Sequence, residues 1–197
     1  MANDSVSRRA IVKSLTMGIV AGSVMRVIPL EAAEHAHRMI EAEKSNVGAY
    51  SPKFFEGLSY KTLQALCETI LPTDADAGGA IEAGAPEFID LLTSENADYQ
   101  SILGDGLKWL EATCAIRFGK AYLACSQEQQ KEILDLIAYR KNAEQSEGLK
   151  NGVQFFALLR SMTSDGFFTS KIGIKYLGYK GNTYLTEFPG CPPVPGV

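Results

Sequence analysis

Apolar residues recur at three- and four-residue spacing in five stretches of the chain, and this period predicts α-helices. The longest predicted helix has its apolar positions at Leu107, Leu110, Cys114 and Phe118. The five stretches cover residues 59–71, 85–92, 103–125, 127–140 and 151–162. The pattern therefore predicts an all-α protein, folded as a compact bundle of about five helices.

Local signals support the ends of these helices. Pro72 ends the first, and Pro86 lies near the first turn of the second, where proline is tolerated. Ser126 is a candidate N-cap, and Gln129 stands three residues on, in the capping-box position. The helix at 151–162 is apolar nearly all round, so we expect it to be buried on more than one side.

The segment 162–182 follows this last helix and mixes aromatic residues with glycines. Glycine permits positive φ and close backbone approach, whereas aromatic side chains bring large apolar surfaces. The segment contains Phe167, Phe168, Tyr176 and Tyr179 among Gly166, Gly173, Gly178 and Gly181. This mix suits neither a long helix nor a regular strand, so an irregular segment is predicted. Two interpretations stay open: a loop that closes the core of the domain, or a docking face for another protein.

The N-terminal part has a different character. Arg8 and Arg9 are followed by Ile11, Val12 and Lys13 and then by a moderately apolar run at 15–30. This pattern resembles a twin-arginine export signal, the alternative being a basic amphipathic helix. Residues 32–47 predict a polar helical linker. The expected organisation is a signal and linker at 1–45 and a helical domain at 46–197.

Composition narrows the class of function. A length of 197 residues with 46% hydrophobic content is enough for one domain with a core. The formal net charge is −4 and the body has no basic run, which argues against nucleic-acid binding. The two histidines, His35 and His37, lie upstream of the predicted body. We therefore expect no histidine at a site in that body.

The four cysteines form neither a CxxC pair nor a haem or iron–sulfur motif. Cys114 and Cys125 lie in one predicted helix, which would place them about 16 Å apart, too far to bridge. Cys67 is predicted to be a small core residue. Cys191 belongs to the proline-rich tail 183–197, which is predicted to be extended, and it is the best candidate for a disulfide in an oxidising compartment.

Candidate acid–base residues are Glu68, Asp74, Asp76 and Asp165. The loop 73–79, rich in Asp and Gly, resembles part of a calcium loop but lacks the EF-hand spacing. The favoured interpretation is a solvated loop whose Asp side chains cap backbone amides. With no histidine available in the body, we do not expect this chain to be an enzyme.

Several blocks of sequence, in order, resemble one family. They are LCETILPTD at 66–74, EAGAPEFID at 82–90, GLKWL at 106–110, DGFFTS at 165–170, LGYKGN at 177–182 and PGCP at 189–192. Over residues 54–192 the chain resembles the gluconate 2-dehydrogenase subunit 3 family, the small subunit of membrane-associated flavin sugar dehydrogenases.

The resemblance implies a non-catalytic subunit of a periplasmic complex that is associated with the membrane through its partners. The partners would be a large FAD-containing subunit that oxidises a sugar or sugar acid, and a multihaem cytochrome c subunit. The small subunit would carry the signal for the twin-arginine translocase and support maturation of the large one. It would itself bind no cofactor. The alternative is an independent oxidoreductase or an electron-relay subunit.

Within this interpretation, the aromatic and glycine-rich segment is the expected docking face. The predicted partner contacts are Phe167, Phe168, Tyr176, Tyr179 and Asn182, with Cys191 as a possible tether. Arg8 and Arg9 are the predicted export signal.

Overall fold

The all-α prediction is confirmed by a computed structural model of the protein, which describes residues 28–181. These residues form eight α-helices, two short 3-10 helices and no strand. The α-helices are α1 (Leu30–Val47), α2 (Leu58–Ile70), α3 (Ala85–Ser94), α4 (Ala97–Phe118), α5 (Gln127–Ile137), α6 (Arg140–Gln145), α7 (Lys150–Phe168) and α8 (Lys171–Tyr176). The 3-10 helices are Tyr122–Ala124 and Glu147–Leu149.

Helix α7 lies at the centre of the bundle. It contacts α2, α3, α4, α5, α6 and α8, and its most extensive interface is with α4. Val153, Phe155, Leu159 and Met162 are buried along it. The prediction that this helix is buried on more than one side is confirmed.

The α4–α7 crossing depends on two glycines. A Cβ added at Gly106 would lie 2.2 Å from the ring of Phe155, and one added at Gly152 would lie 2.7 Å from the ring of Trp109. Nε1 of Trp109 donates a hydrogen bond to the carbonyl oxygen of Gly148 at 2.9 Å. The Trp109 indole thus covers the start of α7. This explains why Trp109 lies beside the apolar positions of α4 and not among them.

Helix α4 ends earlier than predicted. Gly119 adopts a left-handed conformation (φ +67°) and caps the helix after Phe118. The following 3-10 helix returns towards α4, where the backbone N–H of Tyr122 donates to Oε2 of Glu111 at 2.9 Å. The prediction that one helix spans 103–125 is therefore wrong.

The same ending corrects the predicted separation of two cysteines. Burial, and next the neighbouring Cys125 thiol, raise the pKa of Cys114 to about 12. Both residues are buried, and Cys67 is also buried, as predicted. Cys114 and Cys125 are thus neighbours, because the chain reverses at Gly119 instead of continuing as a helix.

The predicted linker at 32–47 is helical, as expected, but it is not polar on every side. Helix α1 buries one face against the rest of the bundle, through Ala32, Ala33, Ala36 and Ile40. Because alanine is only weakly hydrophobic, this narrow face gives no clear apolar stripe in the sequence. Helix α1 therefore packs on the same hydrophobic core as the helices that follow it.

A buried carboxylate holds the connection between α1 and α2. Asp90 on α3 is fully buried and accepts hydrogen bonds from the Tyr50 hydroxyl at 2.7 Å and from three backbone N–H groups. These belong to Lys53, Phe54 and Phe55, at 2.6, 3.1 and 2.7 Å. Because every lone pair is used, the connection is fixed against α3.

His37 lies within the folded body, contrary to the prediction. Its ring stacks on Phe88 with centroids 5.1 Å apart, and its Nε2 lies 3.0 Å from Oγ1 of Thr169. That hydroxyl donates to the carbonyl oxygen of Asp165 at 2.6 Å, so it accepts a hydrogen bond from the His37 ring. Burial lowers the pKa of His37, although the Glu41 carboxylate opposes the shift.

We expect His37 to make stability depend on pH. Its pKa is lower in the folded state than the value of about 6.5 in an unfolded chain. The unfolded state therefore binds more protons as the pH falls below about 6.5, and stability is lost in that direction. In His37→Gln, the free energy of unfolding in urea should fall less steeply between pH 7 and pH 5. Both proteins keep His35 and every carboxylate, so equal slopes would contradict the assignment.

Candidate partner-binding surface

The segment predicted to be irregular is mostly helical. Helix α7 continues through Met162 to Phe168, and α8 follows after a two-residue turn. The glycines at the α7 end serve close packing: a Cβ at Gly166 would lie 3.0 Å from the Phe88 ring and 3.2 Å from Cα of Ala85. Glycine permits both turns and close approach of the backbone to a neighbour, and here it serves close approach and not a turn.

A serine cap fixes the start of α8. Oγ of Ser170 accepts a hydrogen bond from the backbone N–H of Gly173 at 3.0 Å and donates to the carbonyl oxygen of Phe167 at 2.7 Å. A Cβ at Gly173 would lie 2.1 Å from that same carbonyl oxygen. Helix α8 therefore packs directly on the last turn of α7, and only glycine fits at position 173.

A glycine ends α8 in an equally defined way. Gly178 has a φ of +62°, and its N–H donates to the carbonyl oxygen of Lys175 at 3.0 Å. The N–H of Tyr179 donates to the carbonyl oxygen of Ile174 at 3.2 Å. These two bonds form a Schellman motif, which fixes the chain path into Tyr179.

Four large side chains are exposed around this short helix. They are Phe168, Tyr176, Leu177 and Tyr179, with exposed fractions of 39% to 58%, and we call them the aromatic patch. Phe167 is buried beneath it and meets the rings of Phe168 and Tyr176 edge-on, at 5.1 and 6.5 Å between centroids. Phe167 thus supports the patch from below, and the other aromatic residues are accessible.

The structure does not place the other predicted site residues. Asn182 and Cys191, like Arg8 and Arg9, lie outside the described residues, so their roles stay predictions. Sequence reasoning did not include Leu177, which is 58% exposed.

Two of the candidate carboxylates, those of Asp74 and Glu68, accept hydrogen bonds from the backbone. Oδ1 of Asp74 accepts hydrogen bonds from the N–H groups of Asp76 and Ala77 at 2.9 and 2.7 Å, as predicted for a capped loop. Oε1 of Glu68 accepts from the N–H of Thr73 at 2.9 Å. Burial raises the pKa of Asp165. Between residues 28 and 181, no three His, Cys, Asp or Glu side chains are grouped to hold a metal ion.

A groove lies outside the aromatic patch. An open groove of about 850 Å³ is lined by Phe54, Leu58, Leu107, Glu111 and Leu123, between α2, α4 and the first 3-10 helix. Within the described part of the chain, no helix combines the length and the apolar character needed to cross a membrane.

We expect Gly173→Ala to detach α8. The added methyl group would overlap the carbonyl oxygen of Phe167, so the variant should lose about 2 kcal/mol of stability, or lose the docked helix locally. Thermal unfolding and the rate of trypsin cleavage after Lys171 and Lys175 measure these outcomes. Gly148→Ala is the control, because a Cβ there meets its nearest atom at 3.8 Å. Equal behaviour of the two variants would contradict the close packing.

Comparison with known proteins identifies the family of this chain. Residues 58–190 match the family model described as gluconate 2-dehydrogenase subunit 3. The match begins at the first residue of α2 and includes the aromatic patch. No curated protein and no solved structure matches the chain. Because the match covers more than half of the chain, this protein belongs to the gluconate 2-dehydrogenase subunit 3 family.

Proposed function

We propose that this chain is the non-catalytic small subunit of a periplasmic, flavin-dependent sugar or gluconate dehydrogenase complex. In this role it escorts the FAD-containing subunit through twin-arginine export, supports its maturation and stabilises it. The family membership supports a dehydrogenase partner. The finer roles rest on the aromatic patch and on the N-terminal Arg8-Arg9 pattern.

The aromatic patch is the observation that carries the proposal. Large apolar side chains that are exposed together mark interaction sites, and tyrosine is enriched among the residues that dominate interface energies. The patch is also preorganised, because Ser170 and Gly178 fix both ends of α8. A partner that binds a rigid surface loses less conformational freedom of that surface on association.

In this proposal the chemistry belongs to other subunits. The partner holds FAD, and a multihaem cytochrome c subunit with haem c accepts the electrons. The chain described here contributes a docking surface and an export signal. This division supports the use of the twin-arginine translocase, which transports folded proteins, since a flavin subunit must fold around its cofactor before export.

Removing the exposed rings should weaken the complex and leave the small subunit folded. Phe168→Ala and Tyr176→Ala should each cost about 2 kcal/mol of binding, roughly thirtyfold in Kd, because interface anchors fill pockets in the partner. Biolayer interferometry with the purified FAD-containing subunit measures the affinity. The matched control is Tyr139→Ala, which removes a tyrosine that is 60% exposed but lies outside the patch.

A melting scan of each variant alone separates docking from folding. If Tyr176→Ala melts much lower without the partner, the ring stabilises the fold of this chain. If both patch variants bind the FAD-containing subunit as tightly as Tyr139→Ala does, the patch is not the docking surface.

The signal makes a second prediction. Replacing Arg8 and Arg9 together by lysine keeps the charge but removes the paired guanidinium groups. Both this chain and the dehydrogenase activity should then remain in the cytoplasm. Cell fractionation with a dye-linked dehydrogenase assay measures the distribution. Lys13→Arg is the control for a change of basic side chain within the same segment. Full periplasmic activity in the double variant would exclude the escort role.

A further inference from the structure

Lysines surround the aromatic patch of a protein that is acidic overall. The chain has a formal net charge of −4, yet Lys171, Lys175 and Lys180 lie within ten residues of one another. All three are exposed. The patch therefore combines apolar side chains with a local excess of positive charge.

The three lysines differ in their surroundings. Nζ of Lys171 forms an ion pair with Glu41 of α1, with 2.7 Å between nitrogen and oxygen. Lys175 and Lys180 form no ion pair with any residue between positions 28 and 181. Each of these two directly precedes or follows a patch tyrosine, Tyr176 and Tyr179 respectively. These two lysines are thus next to exposed rings along the chain.

Acidic residues border the other side of α8. The loop between α2 and α3 carries Asp74, Asp76 and Glu82. It lies against α8, since a Cβ at Gly78 would be 3.7 Å from Cγ2 of Ile172 and 2.4 Å from Oε2 of Glu82. The part of α8 around Ile172 therefore lies next to a loop that carries negative charge.

We propose that the aromatic patch docks on an acidic face of its partner, with carboxylates of the FAD-containing subunit opposite Lys175 and Lys180 and apolar pockets for the exposed rings. This inference rests on the proposed function and adds the chemistry of the receiving surface. Complementary charges around an apolar centre steer encounter and exclude wrong partners.

The alternation of charge favours a protein over an anionic bilayer. A lipid surface attracts basic residues without regard to their pattern, and it repels carboxylates. Glu41, which pairs with Lys171, and Glu82, in the loop that lies against α8, carry negative charge near the patch and would oppose such binding. A protein surface can match both signs in place.

The test reverses the charge of Lys175 and Lys180. Lys175→Glu with Lys180→Glu should weaken binding to the purified FAD-containing subunit about tenfold at low salt, mainly through slower association. Lys175→Gln with Lys180→Gln should give a smaller loss. The control, Lys61→Glu with Lys120→Glu, changes the net charge equally at exposed lysines outside the patch and should bind like the wild type. Raising the ionic strength should weaken binding of the wild type, leave the glutamine variant nearly unchanged and strengthen binding of the glutamate variant, because salt screens both attraction and repulsion.

The outcomes separate this inference from the proposed function. If the wild type binds the FAD-containing subunit but neither salt nor charge reversal affects the affinity, the acidic face is excluded and the proposed function stands. If the wild type does not bind that subunit at all, the proposed function fails and the inference fails with it. Salt-sensitive binding to vesicles of phosphatidylglycerol and phosphatidylethanolamine, lost on charge reversal, would assign the lysines to a membrane and overturn the inference.

Discussion

The fold depends on how closely α4 and α7 approach each other. At Gly106 and Gly152 there is no room for a Cβ, because the rings of Phe155 and Trp109 already occupy that space. This contact places α7 in the centre of the bundle, where it touches most of the other helices. It also fixes where the C-terminal end of α7 emerges, and hence where the aromatic patch is presented. A larger residue at either glycine would move both the core and the patch, since protein interiors transmit such changes.

The same use of glycine recurs towards the patch. Gly166 lets α7 pack on α3, and Gly173 lets α8 pack on the last turn of α7. At Gly178, by contrast, the left-handed conformation is needed, to end α8 in its Schellman motif. The result is a short helix held at both ends by hydrogen bonds on a buried aromatic base, Phe167. Exposed aromatic side chains on such a base keep their position without a partner, which is what an interface anchor requires.

The sequence predicted the helices that alternate large apolar and polar residues, and the Ser126–Gln129 capping box is present as predicted. It predicted a helix at 32–47 but not the buried face of that helix, because this face is mostly alanine, which is only weakly hydrophobic. It also did not distinguish the two uses of glycine. Gly119 ends a helix that the apolar period would continue, whereas Gly166 lies inside a helix that its presence seemed to exclude. Periodicity shows which face of a helix is apolar. The space available to a Cβ depends on a neighbour that is distant in sequence, so periodicity does not show it.

Helix α1 joins the N-terminal part of the chain to the patch. Its His37 contacts Thr169, its Glu41 pairs with Lys171, and its Lys44 pairs with Glu87 on α3. The first contact lies in the turn before α8 and the second at the first residue of α8. The exposed ion pairs each contribute little, but the stacked and partly buried His37 ties the helix to the core at Phe88. An escort must keep its cargo attached to the segment that is recognised for export. In the proposed escort role, α1 would join a partner bound to the aromatic patch to the predicted signal, because α1 and the patch belong to one packed body.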